Sequence, residues 1–482
     1  MILLERAAAI VGAGNVLSSS EDVQPFVNDW RKRYRGRPLA VVRPGSTAEV
    51  AALVQLCAQT GTSIVPQGGN TSLCGASVPD ASGQQLVISL VRMNKVRAVD
   101  ALNNTLTVEA GCILANVQKA ADAVDRLFPL SLGGEGSAVI GGNLSTNAGG
   151  TGVLRYGNTR ELVLGLEVVL PDGTITTLGG DLPEMPGLDL RGVFIGSEGT
   201  LGITTAVTLR LLRAPQSVAV LLADFTAMEA AGEAVRAVTE AGVLPAGMEM
   251  MDRLCIEALN DYFGAEEYPA DAAAVLLIEL DGQESEVAAA VALASDFCRR
   301  AGARTIREAR DEAERAQLWK GRKSAISALG RRFPSYYLQD GVVPRGALPR
   351  VLAAIERLSA RHGLPVANVF HAGDGNLHPL ILYRADEPGV IERVEALGAE
   401  ILRLCLEAGG SITGEHGVGI DKRCYMDWMF SPDDLATMQL VRHAFDPANL
   451  ANPGKLFPTP AGCAESARRR SEIPGGEALE VV

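Results

Sequence analysis

Two glycine-rich stretches, PQGGNTSLCGASVP (66–79) and LGGEGSAVIGGNLSTNAGGTGVLRYGN (132–158), constrain this chain more than any other feature. A connection as long as the second is uncommon in a compact domain unless it serves a ligand. Glycine lets the main chain approach a ligand closely and leaves its amides free to cradle an anion. A third cluster, GSEGTLG (196–202), turns into the alternating segment ITTAVTLRLL. Any one of these could simply make a tight turn; three in one half point to an extended ligand held by several loops. Ser137, Asn143, Thr146 and Asn147 add hydrogen-bonding side chains to the second loop.

The segments between the loops read as alternating strands and helices. LAVV (39–42) is a strand, and Ser46 with Glu49 forms a capping box opening a helix that stops at Gly61. TSIV then runs straight into the first glycine loop. ELVLGLEVVLPDGTITTLG is a hairpin turning at Pro171, Asp172 and Gly173. Neither GAGNVL (12–17), which lacks a third glycine, nor GDGNLH (373–378), which ends in His378, is a dinucleotide fingerprint, so NAD is disfavoured.

At 482 residues the chain exceeds what one core usually serves, so two or more domains are expected. A net charge of −13 without a basic stripe disfavours nucleic acid. No segment reaches the ~20 apolar residues that span a bilayer, so no membrane span is expected. The eight cysteines have no close pair, which argues against a disulfide scaffold, a cysteine-ligated metal or an iron–sulfur centre, and fits the cytoplasm. Electrons leaving this protein would meet their next carrier on another polypeptide.

The second half contains VAVLLADFTAMEAAGEAVRAVTEAG and AAVLLIELDGQESEVAAAVALASDFCRRAG, two copies of a strand followed by an amphipathic helix ending at Gly. They predict an antiparallel sheet with helices on one face, an α+β cap distinct from the first domain. In the helical segment 311–332, Leu318, Arg322, Ala325, Ile326 and Leu329 share a face, so Arg322 needs an anion, either a buried carboxylate or a substrate carboxylate.

The chain has five histidines, and two of them flank a Gly-Asp-Gly turn in VFHAGDGNLHPLIL (369–382). That turn can fold His371 and His378 to the same side. Glu415, in GGSITGEHGVG (409–419), would complete a set of two histidines and a carboxylate, a pattern with open coordination positions that suits catalysis. Its neighbour His416 is the candidate general base. His362 and His443 read as core histidines. A metal-dependent hydrolase would use the same triad without a flavin.

PQGGNTSLCGASVP, GGNLSTNAGG with LRYGN, FIGSEGTLGITT, HAGDGNLHPLIL, GEHGVG and NPGKLFP together resemble the FAD-linked 2-hydroxy-acid dehydrogenases of the vanillyl-alcohol-oxidase/p-cresol-methylhydroxylase superfamily, over roughly residues 35–458. The resemblance implies an α+β fold: a two-subdomain FAD-binding domain of the p-cresol-methylhydroxylase type and a ferredoxin-like α+β cap. It divides the chain into an N-terminal helical segment (1–34), the FAD-binding domain (35–213), the FAD-linked oxidase C-terminal cap or substrate domain (214–458) and a disordered tail (459–482).

The resemblance also implies roles for residues. Pro66, Gln67, Gly68, Gly69, Asn70, Thr71 and Ser72, with Gly75, would surround the FAD pyrophosphate. Ser137, Gly141, Gly142, Asn143, Thr146, Asn147 and Gly149 would line the cofactor, Gly202 and Ile203 its adenine end, and Asn452 and Lys455 the flavin ring. Relatives with covalent FAD often carry His where this chain has Asn70, so a non-covalent FAD is implied. His371, His378 and Glu415 match the ligands of a divalent metal, zinc or manganese, with Glu415 also placed beside the cofactor. His416 matches the proton acceptor and Arg322 the clamp on the substrate carboxylate.

The first 170 residues look like the D-2-hydroxyglutarate dehydrogenase branch, while the cap looks like the glycolate oxidase and D-lactate dehydrogenase branch. The hydroxyglutarate enzymes place Lys, Thr and Asn near Leu338, Ile326 and Leu380, so a small 2-hydroxy acid such as glycolate or D-lactate is implied as substrate. D-2-hydroxyglutarate oxidation and a non-catalytic flavin subunit are the alternatives. A second flavin subunit and an iron–sulfur subunit are implied as partners, and through them a place at the inner face of the membrane.

Overall fold

The structure is a computed structural model and describes residues 2–182 and 186–458. Its first sheet has the order Val16–Leu17, Ala40–Val42, Leu86–Ser89, Ile64–Gln67, the last three strands parallel. Helix Thr47–Thr60 connects two of them: Ser46 Oγ accepts from Glu49 N at 3.2 Å, and Gly61 ends the helix at φ 63°. The expected capping box is half made, because the Glu49 carboxylate accepts from Gly45 N instead of Ser46 N. The first 34 residues do more than form a helix. Helix Ile2–Val11 packs through Ala7 and Val11 onto Thr47–Thr60, and Val16–Leu17 becomes the sheet's edge strand.

The second sheet is antiparallel, in the order Val96–Asp100, Thr105–Glu109, Ile203–Arg210, Val163–Val169, Ile175–Gly179. Its last two strands are the hairpin anticipated at residues 171–173, with Gly173 at φ 87°.

The duplicated strand–helix unit is present in the third sheet. Ser217–Phe225 and Ala274–Gly282 pair antiparallel along their whole length and lead into Met228–Glu240 and Glu284–Arg300. Helices on one face only, however, is incorrect. Leu221, Ala223 and Phe225 pack against Met228–Glu240, Glu284–Arg300, Leu348–His362 and Val390–Glu407, while Val220 and Leu222 face Arg253–Phe263 and Glu312–Arg332. The strands are apolar at successive positions, the pattern of a sheet covered on both sides.

The chain's end returns to the first sheet: Ile64 N donates to Leu450 O at 2.8 Å, and Asn452 N to Ile64 O at 2.8 Å. Residues 450–455 therefore pack against the first sheet and its loops. The expected tail, 459–482, lies outside the described residues. No helix among the described residues is long and apolar enough to cross a membrane. Cys57, Cys74, Cys112, Cys255, Cys298 and Cys405 are free and buried, but Cys424 is disulfide-bonded, so the scatter of cysteines excludes a scaffold of bridges without excluding one bridge.

Candidate active site

The three glycine clusters meet around one cleft. Pro66, Gln67, Gly68 and Ser72 line it from the first loop, Gly141, Gly142 and Thr146 from the second, and Gly202 and Ile203 from the third. The first two loops pack closely, because a Cβ on Gly69 would stand 2.1 Å from the backbone oxygen of Ser137 and one on Gly68 2.4 Å from the Val139 side chain at Cγ2. Gly69→Ala is expected to cost ~1–3 kcal/mol of stability and to loosen the cleft; thermal melting and ligand retention of the purified variant check this.

Other anticipated cofactor residues stand behind the walls. Asn70, at φ 54°, donates to Pro25 O and Asn28 O at 3.0 and 2.8 Å and accepts from Ser77 Oγ. Thr71 is half-buried, Gly75 packs at φ 71° against Tyr34, and Ser137 is exposed. Asn147 ends helix Ile140–Thr146 and accepts from Arg160 N. Asn452 Nδ2 ties two loops together by donating to Ala76 O at 2.9 Å and Glu198 O at 2.7 Å, and Lys455 Nζ donates to Val78 O.

Unpaired polar groups lie in or beside the cleft. None of the described residues accepts from the amides of residues 69–72, and a run of free N–H groups can bind an anion. Gln67 Oε1 and Asn143 Nδ2 are likewise buried without a partner among the described residues.

The cap's histidines lie at the other edge. Strands Val366–His371 and Asn376–Leu377 form the hairpin expected at the Gly-Asp-Gly turn; Asp374 accepts from Asn376 N at 2.9 Å and Gly375 sits at φ 80°. His371 Nε2 and His378 Nε2 each stand 3.3 Å from Glu415 Oε1, and all three residues are buried. The other Glu415 oxygen accepts from Gly149 N at 3.2 Å. Gly149 belongs to the second glycine loop, so this cluster adjoins the cleft.

The donor set fits a divalent cation. His371 Nδ1 is 2.6 Å from Glu249 Oε1, and a carboxylate can only accept, so the ring's hydrogen lies there and its Nε2 lone pair faces Glu415. His378 Nε2 makes no well-directed hydrogen bond although it is buried. Ligands bound at ~2.1 Å to one ion stand ~3.0–3.5 Å apart, the spacing seen here. With no ion between them, the alternative occupant is a proton: burial lowers the His371 pKa, but Glu249 and Glu415 together raise it well above the usual value. A metal would displace that proton. Burial raises Glu415, yet the facing imidazoles hold its carboxyl well below the ordinary range.

His416 stacks on His378, with ring centroids 4.9 Å apart. Burial pushes its pKa down to about 4, against the opposing pull of Asp340. Neutral at ordinary pH, it is able to accept a proton. Arg322 meets a buried carboxylate: its Nε and Nη2 lie 2.7 and 2.6 Å from Glu249 Oε2. Neither His362 nor His443 is a core histidine; the first pairs with Glu400 at a helix end, and the second is exposed.

Three residues escaped sequence reasoning. Asp340 is fully buried and accepts from Lys422 Nζ at 2.9 Å, Thr413 Oγ1 at 2.5 Å and His416 N at 3.0 Å, thereby fixing the loop that carries His416. Glu198 supports the same loop by accepting from Val418 N and Gly419 N at 2.6 and 2.8 Å, and it also lines the cleft. Glu249 joins Arg322 to His371. The only hint of it in the sequence is a lone acid inside the apolar strand Gly247–Asp252.

Two family models match the chain: FAD linked oxidases, C-terminal domain, over residues 214–456, and FAD binding domain over residues 38–179. The glycolate oxidase subunit GlcD of Escherichia coli (strain K12) is 44% identical over 93% of this chain and 90% of its own. The D-2-hydroxyglutarate dehydrogenase of Xanthomonas citri pv. viticola is 36% identical over 91% of this chain and 93% of its own. Among solved structures, p-cresol methylhydroxylase with substrate bound superposes with a TM-score of 0.78 at 17% identity, covering 94% of this chain and 96% of that one, a likeness of fold.

Proposed function

The chain belongs to the FAD-linked oxidase family, and on that premise we propose that it oxidises a small 2-hydroxy monocarboxylate, glycolate or D-lactate, to the 2-oxo acid. The single observation that carries this reading is Glu415, one oxygen of which faces His371 and His378 while the other accepts from Gly149 N of the cofactor loops. One carboxylate thereby joins a cation-ready cluster to the FAD cleft.

FAD is the cofactor, and when bound it supplies the acceptor for the substrate's C2 hydrogen and its two electrons. The free amides of residues 69–72 would hold its phosphates, and nothing in the surroundings of Asn70 calls for a covalent link. His371, His378 and Glu415 would hold a zinc or manganese ion, which supplies Lewis-acid polarisation of the substrate hydroxyl. Arg322 binds the substrate carboxylate, and its anchoring by Glu249 fixes the guanidinium for that contact. His416 takes the hydroxyl proton, and Asp340 keeps it in place through the loop backbone.

The apolar residues of the cap argue for a monocarboxylate. Leu338 and Leu380 face each other across paired strands in a buried cluster against which Ile326 packs. A second carboxylate against these side chains would lose water without gaining a hydrogen-bond donor from them. Steady-state assays with a dye acceptor are expected to give glycolate or D-lactate a kcat/KM at least ~10-fold above that of D-2-hydroxyglutarate. The reverse order would move this chain to the hydroxyglutarate branch.

Among the described residues no cysteine belongs to a metal-capable cluster. A second flavin subunit with an iron–sulfur subunit would take the electrons on from the flavin, the Escherichia coli relative being itself named as a subunit. Association with the inner face of the membrane would come through those partners.

A further inference from the structure

We infer that Glu249 is a positioning residue that fixes two functional side chains at once, His371 as a metal ligand through Nε2 and Arg322 as a clamp with one nitrogen left for the substrate. This rests on the function proposed above and extends it to a residue that touches neither substrate nor cofactor.

Strand pairing places Glu249 directly opposite His371, on Gly247–Asp252 and Val366–His371 respectively. The Glu249 side chain is 0% exposed, so no water competes for its oxygens. Each oxygen has a different partner: Oε1 lies 2.6 Å from His371 Nδ1, and Oε2 lies 2.6 and 2.7 Å from Nη2 and Nε of Arg322. A carboxylate needed only to neutralise Arg322 would leave Oε1 idle. Here Oε1 selects the His371 tautomer, because the carboxylate demands a hydrogen on Nδ1 and so presents the Nε2 lone pair to Glu415 and His378. Arg322 is gripped by Nε and Nη2, while its Nη1 makes no hydrogen bond to a described residue. The ion and the substrate carboxylate would then be registered by one rigid side chain.

The test is Glu249→Gln, which keeps the volume and removes the charge. Flavin is quantified from the absorption spectrum, and Zn2+ affinity is measured by competition with a chromophoric chelator. Wild type is expected to bind about one Zn2+ per chain, and Glu249→Gln to keep FAD but bind Zn2+ ~10–100-fold more weakly. At saturating Zn2+, its KM for glycolate or D-lactate is expected to rise about tenfold, because Arg322 has lost its anchor. A Zn2+ affinity within about twofold of wild type overturns the His371 half of the inference, and an unchanged KM overturns the Arg322 half. If wild type itself binds no divalent ion, it is the metal reading of the proposed function that fails, a result distinguishable from the others. Should Glu249→Gln lose flavin, Glu249→Asp keeps the charge but withdraws it by one methylene, and the same Zn2+ comparison applies.

Discussion

Replacing His416 with alanine is expected to slow reduction of the bound flavin by hydroxy acid ~10²–10⁴-fold, the usual contribution of a positioned base, while the protein stays yellow. Retention of FAD is expected because His416 stacks on His378 and is not among the residues of the cleft wall. Asp340 is held by Lys422 and Thr413 as well as by the His416 backbone, so the loop survives loss of the imidazole. The pH dependence follows from the same environment. Burial brings the His416 pKa to about 4, so the proton-accepting form predominates above it and is lost as pH falls through it. A divalent cation beside it would disfavour protonation further, in the same direction. The wild-type reductive rate should therefore be flat above about pH 5 and fall below it, a limb absent from His416→Ala. Anaerobic stopped-flow reduction across pH measures both, and a variant reduced as fast as wild type removes His416 from the mechanism.

The second large effect concerns the cluster itself. His378→Ala is expected to lower bound divalent metal from about one ion per chain to near zero and the reductive rate by ~10³-fold, since Lewis-acid polarisation contributes several kcal/mol. His378 Nε2 is buried without a well-directed partner, so its removal takes away a ligand and little native hydrogen bonding. Chelation of wild type should reproduce the loss, and added Zn2+ or Mn2+ should restore only the wild type. Elemental analysis alongside reduction kinetics decides the matter; full activity in metal-free protein would mean that His371, His378 and Glu415 serve some other purpose.

Features encoded locally were legible in the sequence. The glycine clusters stand where two backbones must touch, as the Gly69–Ser137 approach illustrates, and the Gly-Asp-Gly turn converges His371 and His378 because a hairpin is decided by a few neighbouring residues. Features made by distant contacts were not. Asp340 follows a strand and precedes a glycine, so it reads as a turn residue, and only the fold brings Lys422 and the Thr413–His416 loop onto it. Lys422 itself is almost wholly buried and pairs with Asp340. The choice between a buried carboxylate and a substrate carboxylate for Arg322 could not be made from helix spacing, because the partner Glu249 lies on a strand 73 residues away. The helices on the cap's second face follow from apolar residues at successive strand positions, a pattern visible in VAVLLADF.

The proposed reaction is the transfer of two electrons from a small 2-hydroxy acid to this chain's own FAD. Its most direct test is an anaerobic titration of the metal-replete protein, following flavin absorption as glycolate, D-lactate, L-lactate and D-2-hydroxyglutarate are added separately. Glycolate or D-lactate is expected to bleach the flavin fully at about one equivalent of 2-oxo acid formed per FAD. A flavin that none of the four acids reduces would contradict the claim and leave this chain as a non-catalytic flavin subunit.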